Sequence, residues 1–218
     1  MNKRGCITFV FDDGYDDVYR SVVPLLEKYK LRGVFAIPLE STKLAQETRL
    51  TIHPWSEWLS VRKKDHEIAA HSVSHTDLTT LTEPELLREL QEPAQILQAT
   101  TLVYPGGAHN DNIVEVTKQY YKAARTVLKG FNSIPAHDNY RLKTYNFTKT
   151  NFSVFKANAL AVWAYITDSW LIETYHVVSP TASPLLHSTL LADFEKHLRF
   201  IKKIPLANKT IRDITNPL

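Results

Sequence analysis

Phe9-Val10-Phe11-Asp12-Asp13-Gly14 is an aromatic and β-branched run that stops at two adjacent carboxylates and a glycine. Residues of the first kind make a buried strand, and the glycine makes a turn. A second run, His71-Ser72-Val73-Ser74-His75, follows another short apolar stretch and carries two imidazoles four positions apart. That spacing puts both rings on one face of a helical turn. One carboxylate plus two imidazoles is a set of three protein ligands, leaving open positions on a bound metal for water and substrate.

Working outward, strand-like and helix-like segments alternate. Residues 6–11 read as a buried strand, and residues 16–30 as a helix with Val18, Val22, Leu25, Leu26 and Tyr29 at three-to-four spacing. Pro24 is awkward inside a helix and begins a second helical piece there. Strands follow over residues 33–38, 67–70, 101–104, 123–128, 140–145 and 170–178. Residues 39–51 are polar without periodicity and read as a loop. Pro54 opens a short helix that ends at Arg62-Lys63-Lys64, where basic residues suit a carboxyl terminus. Thr82-Glu83-Pro84-Glu85 is a capping box opening a helix that Pro93 kinks or interrupts. Further helices are read over residues 111–120, over 151–167 with Phe152, Phe155, Ala159, Val162, Trp163 and Ile166 inward, and over 188–203, with a short tail strand near 210–214. Such alternation favours an α/β fold, a parallel sheet or a (β/α) barrel, as a single domain over residues 1–218.

Composition narrows the class. The chain has 218 residues, 44% hydrophobic and 22% charged, with a net charge of +3 and no block of like charges, so nothing argues for nucleic acid or a membrane surface. No segment approaches the roughly 18 apolar residues of a membrane span. Met1-Asn2-Lys3-Arg4-Gly5 runs into a strand without a signal-peptide core, so the sequence as it stands predicts no export. Cys6 has no partner for a disulfide and reads as a small buried residue.

Parallel α/β folds build their sites at the carboxyl ends of strands, which is where Asp12, Asp13 and His71 fall. Successive strand residues face opposite sides, so both aspartates share a site only if the chain bends at Gly14. The run from Asp12 to Asp17 lacks the alternating acids of a calcium loop, and Ser72 stands where a zinc protease has its glutamate.

Together with Tyr104-Pro105-Gly106-Gly107, these two runs resemble, in the same order, the motifs of the polysaccharide deacetylases with a NodB homology domain, carbohydrate esterase family 4. Ala123-Ala124-Arg125-Thr126 and Trp170-Leu171-Ile172-Glu173-Thr174-Tyr175-His176 are similar as well, and the likeness spans residues 5–214. The resemblance implies a distorted, seven-stranded (β/α) barrel that removes N-acetyl groups from chitin, peptidoglycan or poly-N-acetylglucosamine. It implies Asp12 as general base, Asp13, His71 and His75 as ligands of a divalent metal (zinc first, cobalt or nickel as alternatives), and His176 as general acid. Tyr104, Pro105 and Gly106 would shape the substrate groove, with the Gly106 N–H at the oxyanion. The family's base-orienting arginine is missing before Tyr104, leaving Arg125 or Arg141 to replace it, and Asp168 is a candidate remnant of the motif that tunes the acid histidine. His109, His137 and His187 read as surface residues. Other functions on the same residues are a hydrolase of a small cyclic amide or ureide, and a catalytically silent glycan-binding module.

Overall fold

The apolar run Cys6–Phe11 is buried at every position and forms β1, the strand around which a barrel closes. In a computed structural model that describes residues 5–216, β1 is followed by β2 (Gly33–Ile37), β3 (Glu67–Ala70), β4 (Thr101–Val103), β5 (Ala123–Lys129), β6 (Leu142–Asn146) and β7 (Trp170–Tyr175). These seven strands pair in parallel in chain order. Closure comes from β7 lying along β1, in register from Cys6 opposite Trp170 to Phe11 opposite Tyr175.

The period of two in each strand divides the core. Ile7, Phe9, Phe11, Phe35 and Leu171 face outward into one cluster with the helices. Val10, Val34, Ala36, Ala69, Val103, Ala123 and Ile172 form a second cluster, the barrel interior. With Leu142 and Trp170 of the same cluster, these side chains fill the interior and leave no pore. The outer layer consists of α1 (Val23–Lys28), α2 (Thr42–Thr48), α3 (Trp55–Trp58), α4 (Glu83–Ile96), α5 (Asp111–Tyr120), α6 (Val154–Ile166) and α7 (Leu191–Ile201). Among the described residues, no helix is long and apolar enough to cross a membrane.

The amino end of the barrel is plugged. β2 pairs with β1 only from Phe9 onward. The vacant edge at Cys6 and Ile7 is taken by β10 (Ala207–Asn208). The helix α8 (Ile211–Thr215) then places Ile211 in the interior cluster. The buried Glu67 carboxylate accepts the Arg212 N–H at 2.8 Å and the Thr101 hydroxyl at 2.5 Å, satisfying the charge that the plug covers. Burial pushes the Cys6 thiol up to about 12, in keeping with an inert packing residue.

Several expectations need correction. Residues 42–48 are helical rather than loop; Leu44 is the only buried residue of α2, so no apolar period could form. Pro93 does not stop α4, which runs on through it to Ile96; the ring removes one N–H, the donor to the Glu89 carbonyl, and the last turn still forms. Pro24 does start α1, after a wide π-type turn over Val18–Val22 that accommodates the ring. The strand expected over 170–178 breaks at His176 into β7 and β8 (Val177–Ser179), and β8 pairs with β9 (Ser188–Leu190), residues read as helix. The tail is strand, then helix, because Thr210 and Asp213 form a capping box. Most instructive is α6, which turns Ala157, Ala161 and Ala164 inward and leaves Phe155 84%, Trp163 54% and Ile166 62% exposed. Alanines let the helix approach closely, and a helix apolar all round carries no stripe to show which side is buried.

His66 supplies a test of the fold alone. Its Nδ1 accepts the Gly33 N–H at 3.0 Å, an arrangement that requires the neutral ring, and burial lowers its pKa from 6.5 to about 4. The unfolded chain therefore binds a proton over that interval while the folded one does not. Stability from this group is complete above pH 6.5 and is lost as pH falls toward 4. Urea unfolding midpoints should drop across that window, less steeply in His66→Asn; equal slopes in both proteins would remove His66 as the cause.

Candidate metal centre and active site

The Asp12 N–H continues the β1–β7 ladder by donating to the Tyr175 carbonyl at 2.9 Å, so Asp12 keeps the inward parity of Val10. Asp13 would by that alternation face outward. Instead it takes φ 73°, and Gly14 takes φ 70°, so the left-handed turn begins at the aspartate itself. Aspartate tolerates this conformation better than most residues. The turn rotates Asp13 back over the carboxyl end of the barrel.

His71 follows β3 and stays in register, its N–H donating to the Ile37 carbonyl at 3.1 Å. Its Nδ1 sits 2.7 Å from the Val103 carbonyl, which fixes the ring with the proton on Nδ1 and Nε2 free as a ligand atom. His75 arrives differently from the expected helical turn. Residues 71–76 form a loop in which Ser72 (φ 63°) and His75 (φ 56°) are both left-handed. Ser72 Oγ accepts the His75 N–H at 3.0 Å. Glu89, buried on α4, accepts the N–H groups of Val73 and Ser74 at 2.8 and 2.9 Å and the Ser74 hydroxyl at 2.7 Å. A cleft of about 570 Å³ between α2 and Ser74 opens beside this loop.

The two imidazole Nε2 atoms lie 3.4 Å (His71) and 3.3 Å (His75) from Asp13 Oδ1. One ligand atom from each residue falls within 4.8 Å of the others. Asp13 Oδ1 is buried with no hydrogen-bond partner, which a cation at the centre of the three would satisfy. Two imidazoles and one carboxylate fit zinc, and also cobalt or nickel. Burial presses the Asp13 carboxyl upward, but the His71 and His75 rings, with charge from His176, hold it well below the usual carboxylate range. Burial pulls His75 down, and Asp13 outweighs it, keeping the imidazole above its ordinary value.

Asp12 faces a different set. Its Oδ2 pairs with Nη2 of Arg125, which is 1% exposed and reaches inward from β5, and lies 3.7 Å from His176 Nε2. Oδ1 is buried and unpartnered. Arg125 thus pins one oxygen and leaves the other free to accept a proton. Arg141 is engaged elsewhere, with Asp138 and Asp111. Asp168 precedes the amino end of β7, so it is remote from His176, and it is exposed.

His176 sits at the break between β7 and β8, where burial lowers its pKa against the pull of Asp13 and Asp12. Its neighbour was not legible in the sequence. His187 packs against it with ring centroids 4.6 Å apart and planes tilted by 47°, because Val177 and Ser188 pair in parallel and put the two preceding histidines side by side. Only β9, read as helix, could have revealed it. Tyr104 does not line the groove: its ring is buried, its hydroxyl donates to the Tyr140 carbonyl at 3.2 Å, and it anchors the turn instead. Gly106 does front open space, at φ 58° with nothing within 4 Å of where a Cβ would stand.

A parallel (β/α) barrel gathers two imidazoles and a carboxylate at its carboxyl end, with a second carboxylate beside them, a candidate metal centre. Residues 1–124 match the polysaccharide deacetylase family, and the chain belongs to that family. It is 25% identical over 121 residues to YxkH of Bacillus subtilis (strain 168), whose name carries the same family; the match covers 52% of this chain and 41% of that protein. The chain spans less than half the length of the curated relatives it matches. Its fold is similar to a family 4 carbohydrate esterase from Bacillus anthracis (TM-score 0.62, 14% identity, 100% of this chain and 86% of that one). It is also similar to a Mycobacterium smegmatis structure assigned to the polysaccharide deacetylases (TM-score 0.66, 12% identity, 98% and 90%).

Proposed function

We propose that this chain is a metal-dependent N-deacetylase acting on an N-acetylglucosamine-containing polysaccharide, of the chitin, peptidoglycan or poly-N-acetylglucosamine type. The observation that carries the reading is the separation of two adjacent aspartates into two environments. Asp13 lies against the two imidazoles, while Asp12 lies against a guanidinium and a third histidine.

Asp13, His71 and His75 would hold the metal, which would supply a Lewis acid to polarise the acetyl carbonyl and make the attacking water more acidic. Asp12 Oδ1 accepts a proton from the attacking water, while Arg125 holds the carboxylate in place through Oδ2. The Gly106 N–H faces the developing oxyanion, a donor worth about 3–4 kcal/mol when well placed. His176, in its protonated form, delivers a proton from Nε2 to the departing nitrogen. The C–N bond breaks, giving acetate and a free amine on the sugar.

Acetate release should be measured on chitooligosaccharides and a peptidoglycan fragment, and ring opening on a cyclic amide and a ureide, each with zinc or with chelator. Release from the glycans alone, abolished by chelator and restored by metal, is expected. Metal affinity should weaken at acid pH, where protons compete for the imidazoles. Turnover of the cyclic compounds alone, or glycan binding by metal-loaded protein without acetate release, would overturn the reading.

A further inference from the structure

The net charge of +3 is not evenly spread. Residues 117–167 hold eight lysines and arginines against one acidic residue, Asp138. Lys118, Arg125 and Arg141 of that segment are paired with carboxylates. Lys129, Lys149 and Lys156 are in no salt bridge among the described residues; Lys149 and Lys156 donate only to main-chain carbonyls, of Pro184 and Asn151.

Lys129 and Lys156 line one cleft of about 230 Å³, with Tyr145, Asn146 and Asn151. It opens at the carboxyl ends of β5 and β6, the face that carries the catalytic groups. Val127, another lining residue, is two positions beyond Arg125 and abuts Gly107 of the groove turn. Asn146 pairs in register with Thr174, two residues before His176. The cleft is therefore a direct neighbour of the centre.

Its chemistry is specific in three respects. The two ammonium groups and the amino end of the 13-residue α6, with its dipole, favour an anion. Asn146 lines the cleft and brings a side-chain amide to it, a partner for a sugar hydroxyl. The Tyr145 ring, with Lys129 Nζ 5.9 Å from its centroid, offers an aromatic face. The volume is below the usual 300–1,000 Å³ of a drug-sized site, about right for one small ring and too small to seat a duplex.

We propose that this cleft is a subsite for an acidic sugar, so that the substrate is a glycan in which the N-acetylated residue neighbours one bearing a carboxylate or phosphate. The inference rests on the deacetylase reading for the ligand's being a glycan, and its test is read by binding, without turnover. Titration calorimetry on the full chain carrying Asp12→Asn would compare chitotetraose, a tetrasaccharide alternating N-acetylglucosamine with glucuronate, and N-acetylglucosamine 6-phosphate beside N-acetylglucosamine. One or both acidic ligands should bind about tenfold more tightly than their neutral counterparts, an advantage that shrinks with salt. Lys129→Gln with Lys156→Gln should bring the ratio near one, with the circular dichroism spectrum of the parent; Lys129→Glu alone should invert it. A ratio near one in the parent, a ratio indifferent to the lysines, or equal affinity for a single-stranded oligonucleotide would overturn the proposal. Each of those outcomes is possible while acetate release stands, and the lysine-dependent preference can hold where acetate release fails.

Discussion

Asp12→Asn is expected to lower acetate release by about 10²–10⁴-fold, the range for removal of a general base, while the protein still takes up metal. The side chain keeps its shape and its acceptor oxygen, so hydrogen bonding to Arg125 can persist. What disappears is the capacity to accept a proton at the oxygen left unpartnered beside the Asp13, His71 and His75 cluster. The substitution also leaves the Arg125 guanidinium, 1% exposed, without its counter-charge. Breaking a buried pair in this way costs about 3–5 kcal/mol. Thermal unfolding must therefore be followed with the kinetics, at a temperature where both proteins are folded. Asp13→Asn is the contrasting variant: it should lose bound metal, and with it activity, through a different step. Residual Asp12→Asn activity within a few-fold of the parent, with metal bound, would remove Asp12 from the role of base.

Much of this centre was legible because strand parity is a strict rule. The apolar run Cys6–Phe11 fixes which side chains of β1 face in, and Asp12 extends that side by one step. His71 is likewise the next inward position after Ala69. Asp13 breaks the rule, and the glycine after it was the signal that a turn would bring it back. The sequence was silent where partners come from distant strands or where geometry is not periodic. Arg125 meets Asp12 across 113 positions of chain, and nothing local in the sequence separates it from Arg141, which pairs with Asp138 and Asp111. His187 depends on a parallel pairing of two three-residue strands, too short to carry an alternation. The loop of residues 71–75 was misread as helical because four-residue spacing brings side chains together on a helix, yet two left-handed residues achieve the same convergence. On α6 the apolar residues were seen and their direction was not, since close approach is decided by alanines that hydropathy barely distinguishes.

That non-helical loop makes Glu89→Gln the second large expectation. His71 is fixed twice over, by its ladder bond to Ile37 and by Nδ1 against the Val103 carbonyl. His75 has no such anchor; its placement rests on the Ser72 hydroxyl and on the loop shape that the Glu89 carboxylate enforces through three hydrogen bonds. Left-handed backbone at non-glycine residues costs roughly 1–3 kcal/mol each and persists only where the surroundings impose it. Glutamine keeps the length of the side chain but has one acceptor oxygen where the carboxylate has two, so an amide N–H must face either the backbone N–H pair or the Ser74 hydroxyl. The loop should relax and His75 should be the ligand that loosens. Losses of this kind cost about 10–100-fold in metal affinity, readable by competition with a chromophoric chelator, with no substrate present. Ser74→Ala, which removes only the hydroxyl donor, should show a smaller loss. A purely architectural glutamate would give another pattern: a lower unfolding temperature with parental metal affinity, and that pattern would end the assignment.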